Sequence, residues 1–143
     1  MRSNVAPGGW VEFQDYDLMP KGDDDTVQPD DEVVTWESIL IGAGDNIGRE
    51  PSPGPKLEKW VTDAGFVNIT HRVFKLPCGT WPKDKRMNMI GGYMLTNVLE
   101  GLDGFSLRLL CGVLGWTIDD AHTLMDRVRK RLLARNWHGY WPL

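Results

Sequence analysis

The chain has 143 residues, a length that suits one domain built around one hydrophobic core. With 41% hydrophobic and 25% charged residues, its composition is typical of a globular protein and excludes a disordered tail or a fibre. Twenty Asp and Glu residues against sixteen Lys and Arg residues give a formal net charge of -4, so we expect no nucleic-acid partner. The sequence has neither an apolar run of the ~20 residues that a membrane span needs nor a secretory leader. We therefore expect no membrane partner and an intracellular location, cytoplasmic or nuclear.

The cysteine and acidic residues do not suggest a metal site. Cys78 and Cys111 are far apart and lack neighbouring Cys or His residues at ligand spacing, so neither a disulfide framework nor a zinc site is expected. Residues 23–32 are rich in Asp but lack the alternating ligands and central glycine of a calcium loop. A reducing compartment fits this pattern.

The first element is a predicted strand. A Pro-Gly-Gly turn at residues 7–9 leads into residues 10–16, which are rich in aromatic and β-branched residues. Apolar side chains fall on both faces of this segment, as in an interior strand that is covered on both sides. Residues 17–32 are dominated by Asp, Gly, Pro and Lys, and they predict a solvated loop.

A helix is predicted next, starting at Val33 and continuing toward Ile47. The glycines of residues 42–48 invite interpretation as a dinucleotide loop, but that fingerprint needs a strand before the glycines and a helix after them. Here a helix precedes them and a Pro-rich loop follows. We therefore interpret this segment as a helix end.

A second helix and a second strand follow. Pro55 suits a first helical position, and Gly65 suits a left-handed cap at the helix end. Residues 66–76 alternate apolar and polar side chains and stop at Pro77, which predicts a strand. The apolar stripe of the helix consists of Leu57, Trp60, Val61 and Ala64.

Three helices are predicted in the second half of the chain. One covers residues 84–102, a short one is capped by Ser106 and closed by Gly115, and the last begins with a capping box at Thr117. Residues 138–143 resemble the beginning of a strand. The predicted buried stripe of the last helix consists of Ala121, Leu124, Met125, Val128 and Leu132.

A basic run near the end of the last helix could indicate nucleic-acid binding, together with the aromatic residues that follow it. We favour a simpler explanation, because cations in a final helical turn complement the helix dipole and the aromatic residues suit core burial. The residues concerned are Arg127, Arg129, Lys130, Arg131, Arg135, Trp137, Tyr140 and Trp141. The residues alone identify no catalytic, cofactor-binding or metal-binding group.

An ordered set of segments carries a family resemblance. The chain resembles the LaeA-like, TAM-domain group of fungal class I methyltransferases, which use S-adenosylmethionine, over nearly its whole length. The segments are VAPGGWVEFQDYD at 5–17, PGPKLEKWVTDAGF at 53–66, VFKLP at 73–77, NVLEGL at 97–102 and LGW at 114–116.

The resemblance implies an incomplete α/β fold. Residues 10–16 match the fifth strand of a Rossmann-like sheet, so the chain would hold the C-terminal strands and crossover helices of that sheet, with a helical insertion. It divides the chain into 1–77, part of the sheet domain, 78–137, a helical lid, and 138–143, the start of a truncated last strand. In that family the first half of the sheet holds S-adenosylmethionine, so we expect this chain not to bind the cofactor and to be inactive alone.

The resemblance also suggests where a methyl acceptor would bind. Ligands in open α/β sheets bind beyond the carboxyl ends of the strands. This rule makes Gln14, Asp15 and Tyr16 candidate substrate-binding residues, and the lid adds the polar side chains of Tyr93, Asn97 and Glu100. The acceptor itself, a small molecule or a protein, stays open.

A second hypothesis treats the chain as an interaction module. A degenerate half-domain would expose strand edges and tryptophans, and it could dock through them on an intact methyltransferase or a regulatory partner.

Overall fold

The computed structural model describes residues 5–143, and helices dominate them. The α-helices are α1 (Glu32–Asn46), α2 (Leu57–Asp63), α3 (Lys85–Leu110) and α4 (Ile118–Leu132). A 3₁₀ turn, Gly54–Lys56, precedes α2, and the strands are β1 (Lys75–Pro77) and β2 (Tyr140–Pro142). No helix in this described range is both long and apolar enough to cross a membrane.

Each long helix begins at a side-chain cap. Asp31 accepts a hydrogen bond from the backbone N–H of Val33 at the start of α1, and Asp84 caps α3 in the same way. Thr117 accepts from the N–H of Asp120, which confirms the cap predicted for α4. The Asp120 carboxylate accepts from the Thr117 hydroxyl, so the reciprocal backbone bond of a full capping box is not formed. These local bonds satisfy backbone donors that would otherwise be unpaired.

The core lies between α1, α3 and α4, which all pack on one another. The predicted stripe of α4 is confirmed, because all five of its members are buried. Trp36 and Leu40 of α1 join this core together with Trp137 and Trp141, so the aromatic residues after the basic run are core residues. Since α1 packs on helices of the 78–137 segment, the helices share a core across residue 77, and the domain division stays a prediction.

Helix α3 differs from its prediction. The sequence predicts a helix ending at residue 102 and another capped by Ser106, whereas α3 continues unbroken past both positions and ends at Leu110. Ser106 is fully buried in the helix, where its hydroxyl accepts a hydrogen bond of 2.9 Å from the indole N–H of Trp36. This tertiary bond occupies the hydroxyl that the sequence assigns to a cap.

The two strands form a small antiparallel sheet. Lys75 pairs with Pro142, and Pro77 pairs with Tyr140. Beyond this ladder, Phe74 and Leu143 exchange backbone hydrogen bonds of 2.8 and 2.9 Å. The strand predicted at residues 138–143 is therefore confirmed. The one predicted over 66–76 is largely wrong, because its backbone pairing begins only at Phe74.

The strand predicted over residues 10–16 is also wrong in this structure. The segment has no ladder partner among residues 5–143, and the side chain of Trp10 is 88% exposed. The nearest strand pairing comes just after it, where the N–H of Asp17 donates to the carbonyl of Pro142 at 2.9 Å. An interior strand needs partners on both edges, so its residue pattern alone does not produce one.

At the level of fold class, the structure is a mixed α/β chain with a two-stranded sheet. A Rossmann-like wound sheet stays a prediction. Helix α2 and its C-terminal glycine are confirmed, with Gly65 at a φ of 82°. The apolar stripe of α2 is not covered, however, because none of the α2 residues is buried.

Candidate functional site

A cavity of about 330 Å³ opens between α1 and α3, bordered by the loop before α1 and by β2. We call it the Glu37 pocket. Aliphatic side chains, Pro51 and Met94 make up much of its wall. Its polar and aromatic members are Tyr16, Trp36, Glu37, Asn97, Phe105 and Trp141.

The two tryptophans of the pocket are fixed by hydrogen bonds. The indole N–H of Trp36 donates to the hydroxyl of Ser106, and the indole N–H of Trp141 donates to the carbonyl of Leu18 at 2.9 Å. Both indoles are almost fully buried. The protein therefore uses both N–H groups itself, and the wall of the pocket is held in place by α1, α3 and β2.

Glu37 is the acidic residue that lines the pocket. It lies next to Trp36 on α1, and the residue is only 4% exposed. Burial raises the pKa of the Glu37 carboxyl to about 8, and the nearby indole of Trp141 lowers it only in part. Neither Lys nor Arg lines the pocket within the described chain, so no internal cation opposes this shift.

The pocket brings together two of the residues that the sequence suggested for substrate binding. Tyr16 and Asn97 line it from opposite elements, the loop before α1 and helix α3. Tyr93 and Glu100 lie on α3 but are exposed and outside the pocket lining. A substrate role for any of them stays a prediction.

Gln14 and Asp15, the other suggested residues, lie in a separate groove of about 760 Å³. This edge groove runs between residues 10–15 and residues 69–74, with Leu57 and Val61 of α2 on one side. The Gln14 amide donates to Glu12, and Asp15 accepts from the backbone of Tyr16, so both polar groups are engaged locally.

Sequence reasoning missed Glu37 as a functional residue, although a signal was available. Glu37 lies four residues after Val33 and three before Leu40, and both of these are core positions. At that spacing all three residues share one face of a helix, so the sequence itself shows a carboxyl group within the apolar stripe.

Comparison with known proteins gives several fungal relatives. The probable methyltransferase tdiE of Emericella nidulans is 36% identical over 141 residues, covering 99% of this chain and 44% of the relative. The methyltransferase pytC of Aspergillus terreus is 38% identical over 137 residues, covering 96% and 42%. The secondary metabolism regulator LAE1 of Cochliobolus heterostrophus is 30% identical over 141 residues, covering 96% and 46%.

This chain is a homologue of part of the LaeA-like fungal methyltransferases. The resemblance predicted from the sequence is thereby confirmed. The chain spans less than half the length of the curated relatives it matches. The protein matches no family model and no solved structure.

The methyltransferase relationship raises the question of whether the described residues fit S-adenosylmethionine. The glycines at 42–48 begin inside the last turns of α1, as predicted, and are not placed between a strand and a helix. A Cβ atom at Gly44 would lie 2.2 Å from Cγ of Pro51, so this glycine permits close chain packing and does not form a cradle. The residues of this segment do not fit the cofactor.

A metal site is not evident either. Among residues 5–143, no three His, Cys, Asp or Glu side chains converge in a way that could hold a metal ion. Cys78 is a free, buried thiol, and burial raises its pKa to about 12.

Proposed function

We propose that this chain supplies the acceptor-binding side of a LaeA-like methyltransferase, and that the Glu37 pocket holds a largely apolar methyl acceptor. The observation that carries the proposal is the pocket itself, which is mostly apolar but contains a few convergent polar groups. This composition is typical of small-molecule sites. The similarity to tdiE and pytC, both named as methyltransferases, supports it.

The chain would contribute positioning to such a reaction. Methyl transfer depends strongly on alignment of the acceptor with the methyl group. The rigid walls formed by Trp36 and Trp141 would hold the acceptor and exclude water, while Asn97 and Tyr16 would orient its polar end. Residues outside this chain would hold S-adenosylmethionine, so we infer that the chain is inactive alone.

Calorimetry with 1-naphthalenemethanol, an apolar neutral probe, tests the pocket. We expect the wild-type chain to bind it and Asn97→Trp to weaken binding at least 10-fold, because Asn97 lines the pocket. Thr96→Trp is the matched control, since Thr96 is exposed on the same helix outside the lining. A wild-type chain that does not bind the probe, or equal effects of the two variants, would overturn the proposed site.

A second candidate function is an interaction module that docks on an intact LaeA-like methyltransferase. The edge groove favours it, because exposed apolar side chains border this groove on both sides. They include Trp10 at 88% exposure, with Val73 and Phe74 at about 60% each.

Co-expression with full-length tdiE methyltransferase, followed by size-exclusion chromatography, tests this alternative. We expect co-elution that Val73→Ser weakens, because Val73 lines the groove. Val67→Ser is the control, since Val67 is also an exposed valine but lies outside the groove lining. A monodisperse monomer that elutes apart from the methyltransferase argues against docking.

A further inference from the structure

We propose that the Glu37 pocket binds an organic ammonium, an apolar body that carries one protonated amine and pairs it with the carboxylate of Glu37. This inference rests on the proposed function in that it names the chemical class of the acceptor for the same pocket.

The first support is that Glu37 is a buried acid with no cation beside it in the described pocket lining. Asp31, the other buried acidic residue of residues 5–143, accepts hydrogen bonds from the N–H of Val33 and from Nε of Arg131, the latter at 2.7 Å. Glu37 meets no cation, and its described donor is the indole N–H of Trp141, which already donates to the carbonyl of Leu18. Buried acids in proteins are normally paired, so an unpaired one that lines a cavity indicates a missing positive group.

The second support is the aromatic wall around this carboxyl group. Four aromatic side chains line the pocket with it. The faces of aromatic rings attract ammonium groups, most strongly where water is excluded. The four aromatic residues are Tyr16, Trp36, Phe105 and Trp141.

The third support is that other classes of ligand, anionic or neutral, match the pocket less well. An anionic ligand would be buried without a counter-charge, because the described lining offers it no Lys, Arg or His. A neutral apolar ligand would fill the cavity but leave the carboxyl group unpaired. An ammonium group supplies both the missing charge and the missing hydrogen-bond donors.

Binding would be coupled to release of a proton. Burial raises the pKa of Glu37 to about 8, so in the free pocket Glu37 is mostly a carboxylic acid at neutral pH. When the ammonium enters, the carboxylic acid loses its proton to solvent and the resulting carboxylate pairs with the ligand. Tyr16 is the other titratable side chain of the described lining. Glu37 is the group that releases the proton when the ammonium binds.

Calorimetry on the full chain with 1-naphthylmethylamine and its neutral analogue 1-naphthalenemethanol tests the inference. The amine stays protonated between about pH 5.5 and 7, as a lysine does. We expect its affinity to rise by about 10-fold per pH unit over this range, since one proton leaves on binding, while the affinity of the alcohol stays constant.

The variant Glu37→Gln should remove this pH dependence and weaken amine binding at least 10-fold, while the alcohol still binds. Glu100→Gln is the matched control, because Glu100 is exposed on α3 and does not line the pocket. Equal, pH-independent binding of the two probes would overturn the ammonium inference but leave the proposed pocket intact. Binding of neither probe would overturn both.

Discussion

The carboxyl group of Glu37 makes the stability of the chain depend on pH. Its pKa is raised from 4.5 to about 8, so the folded state holds the proton more tightly than the unfolded state does. Its contribution to stability is complete below about pH 4.5 and is lost as the pH rises through the folded pKa of about 8. We expect the free energy of unfolding to fall by up to about 1.4 kcal/mol per pH unit across this window.

The variant Glu37→Gln isolates this effect, because glutamine does not ionise. Urea unfolding of both proteins at several pH values measures the difference between their free energies of unfolding. That difference should shift in favour of the variant as the pH rises. A difference that is constant with pH would show that the carboxyl group is not held protonated by burial.

The hydroxyl of Ser106 is a second residue with a defined energetic role. The variant Ser106→Ala leaves the buried indole N–H of Trp36 without its acceptor. We expect a loss of about 1–3 kcal/mol in the free energy of unfolding, measured by urea titration. Ser38→Ala is the control, because Ser38 is exposed on α1, and it should change stability by less than about 0.5 kcal/mol. Equal effects would contradict the core bond.

At the level of elements, two adjacent glycines of α3 have different roles. A Cβ atom at Gly91 would lie 2.1 Å from the backbone oxygen of Gly79, and the two residues are also joined by a backbone hydrogen bond of 2.9 Å. A Cβ atom at Gly92 would make an ordinary contact of 3.5 Å with Thr80. Of these two glycines, only Gly91 therefore lies where helix α3 and the turn after β1 approach each other closely.

This difference predicts opposite effects of the same substitution. Gly92→Ala should stabilise the chain by about 0.5–1 kcal/mol, because alanine is the better helix former. Gly91→Ala should destabilise it, because the clash is with the backbone, which cannot rotate away. Thermal unfolding of both variants checks this, and a stabilised Gly91→Ala would contradict the close approach of α3 to the turn.

Helix α2 and the segment after it show how an element can form without a partner. The helix that the apolar stripe predicts does form, but none of its residues is buried, and Leu57 and Val61 of the stripe line the edge groove. Residues 66–73 likewise have the alternation of a strand but no ladder partner in the described chain. The local residue pattern was enough to specify the helix, because the backbone hydrogen bonds of a helix lie within it. A strand needs a neighbouring strand for its hydrogen bonds.

At the scale of the whole molecule, one ion pair joins distant parts of the chain. Nε of Arg131, near the end of α4, donates to Asp31 at 2.7 Å, and the Asp31 side chain is 2% exposed. The same guanidinium donates to the carbonyl of Thr26. The contact therefore fixes the acidic loop and the start of α1 against the end of α4.

Breaking this pair should be costly. Arg131→Gln leaves a buried carboxylate, and we expect a loss of about 3 kcal/mol in the free energy of unfolding. Arg129→Gln removes an exposed pair with Asp126 on the same helix and should cost less than about 0.5 kcal/mol. Urea unfolding distinguishes the two, and similar losses would mean that Arg131 acts only at the surface.

The sequence by itself determined the features that depend on neighbours within about four residues. These include α1, α2, α4, the cap at Thr117 and the buried stripe of α4, because a helix satisfies its backbone within its own turn. It also supplied the family relationship, and it selected Tyr16 and Asn97, which share a pocket.

Only the tertiary structure decided the rest. The Ser106 hydroxyl accepts a hydrogen bond in the core and does not cap a helix, and residues 10–16 have no ladder partner in the described chain. Glu37 lines a cavity that its own helix forms only in part. Each outcome depends on groups far away along the chain. Strand pairing and the pKa of a buried carboxyl are set by what lies across space, and a local pattern does not contain that information.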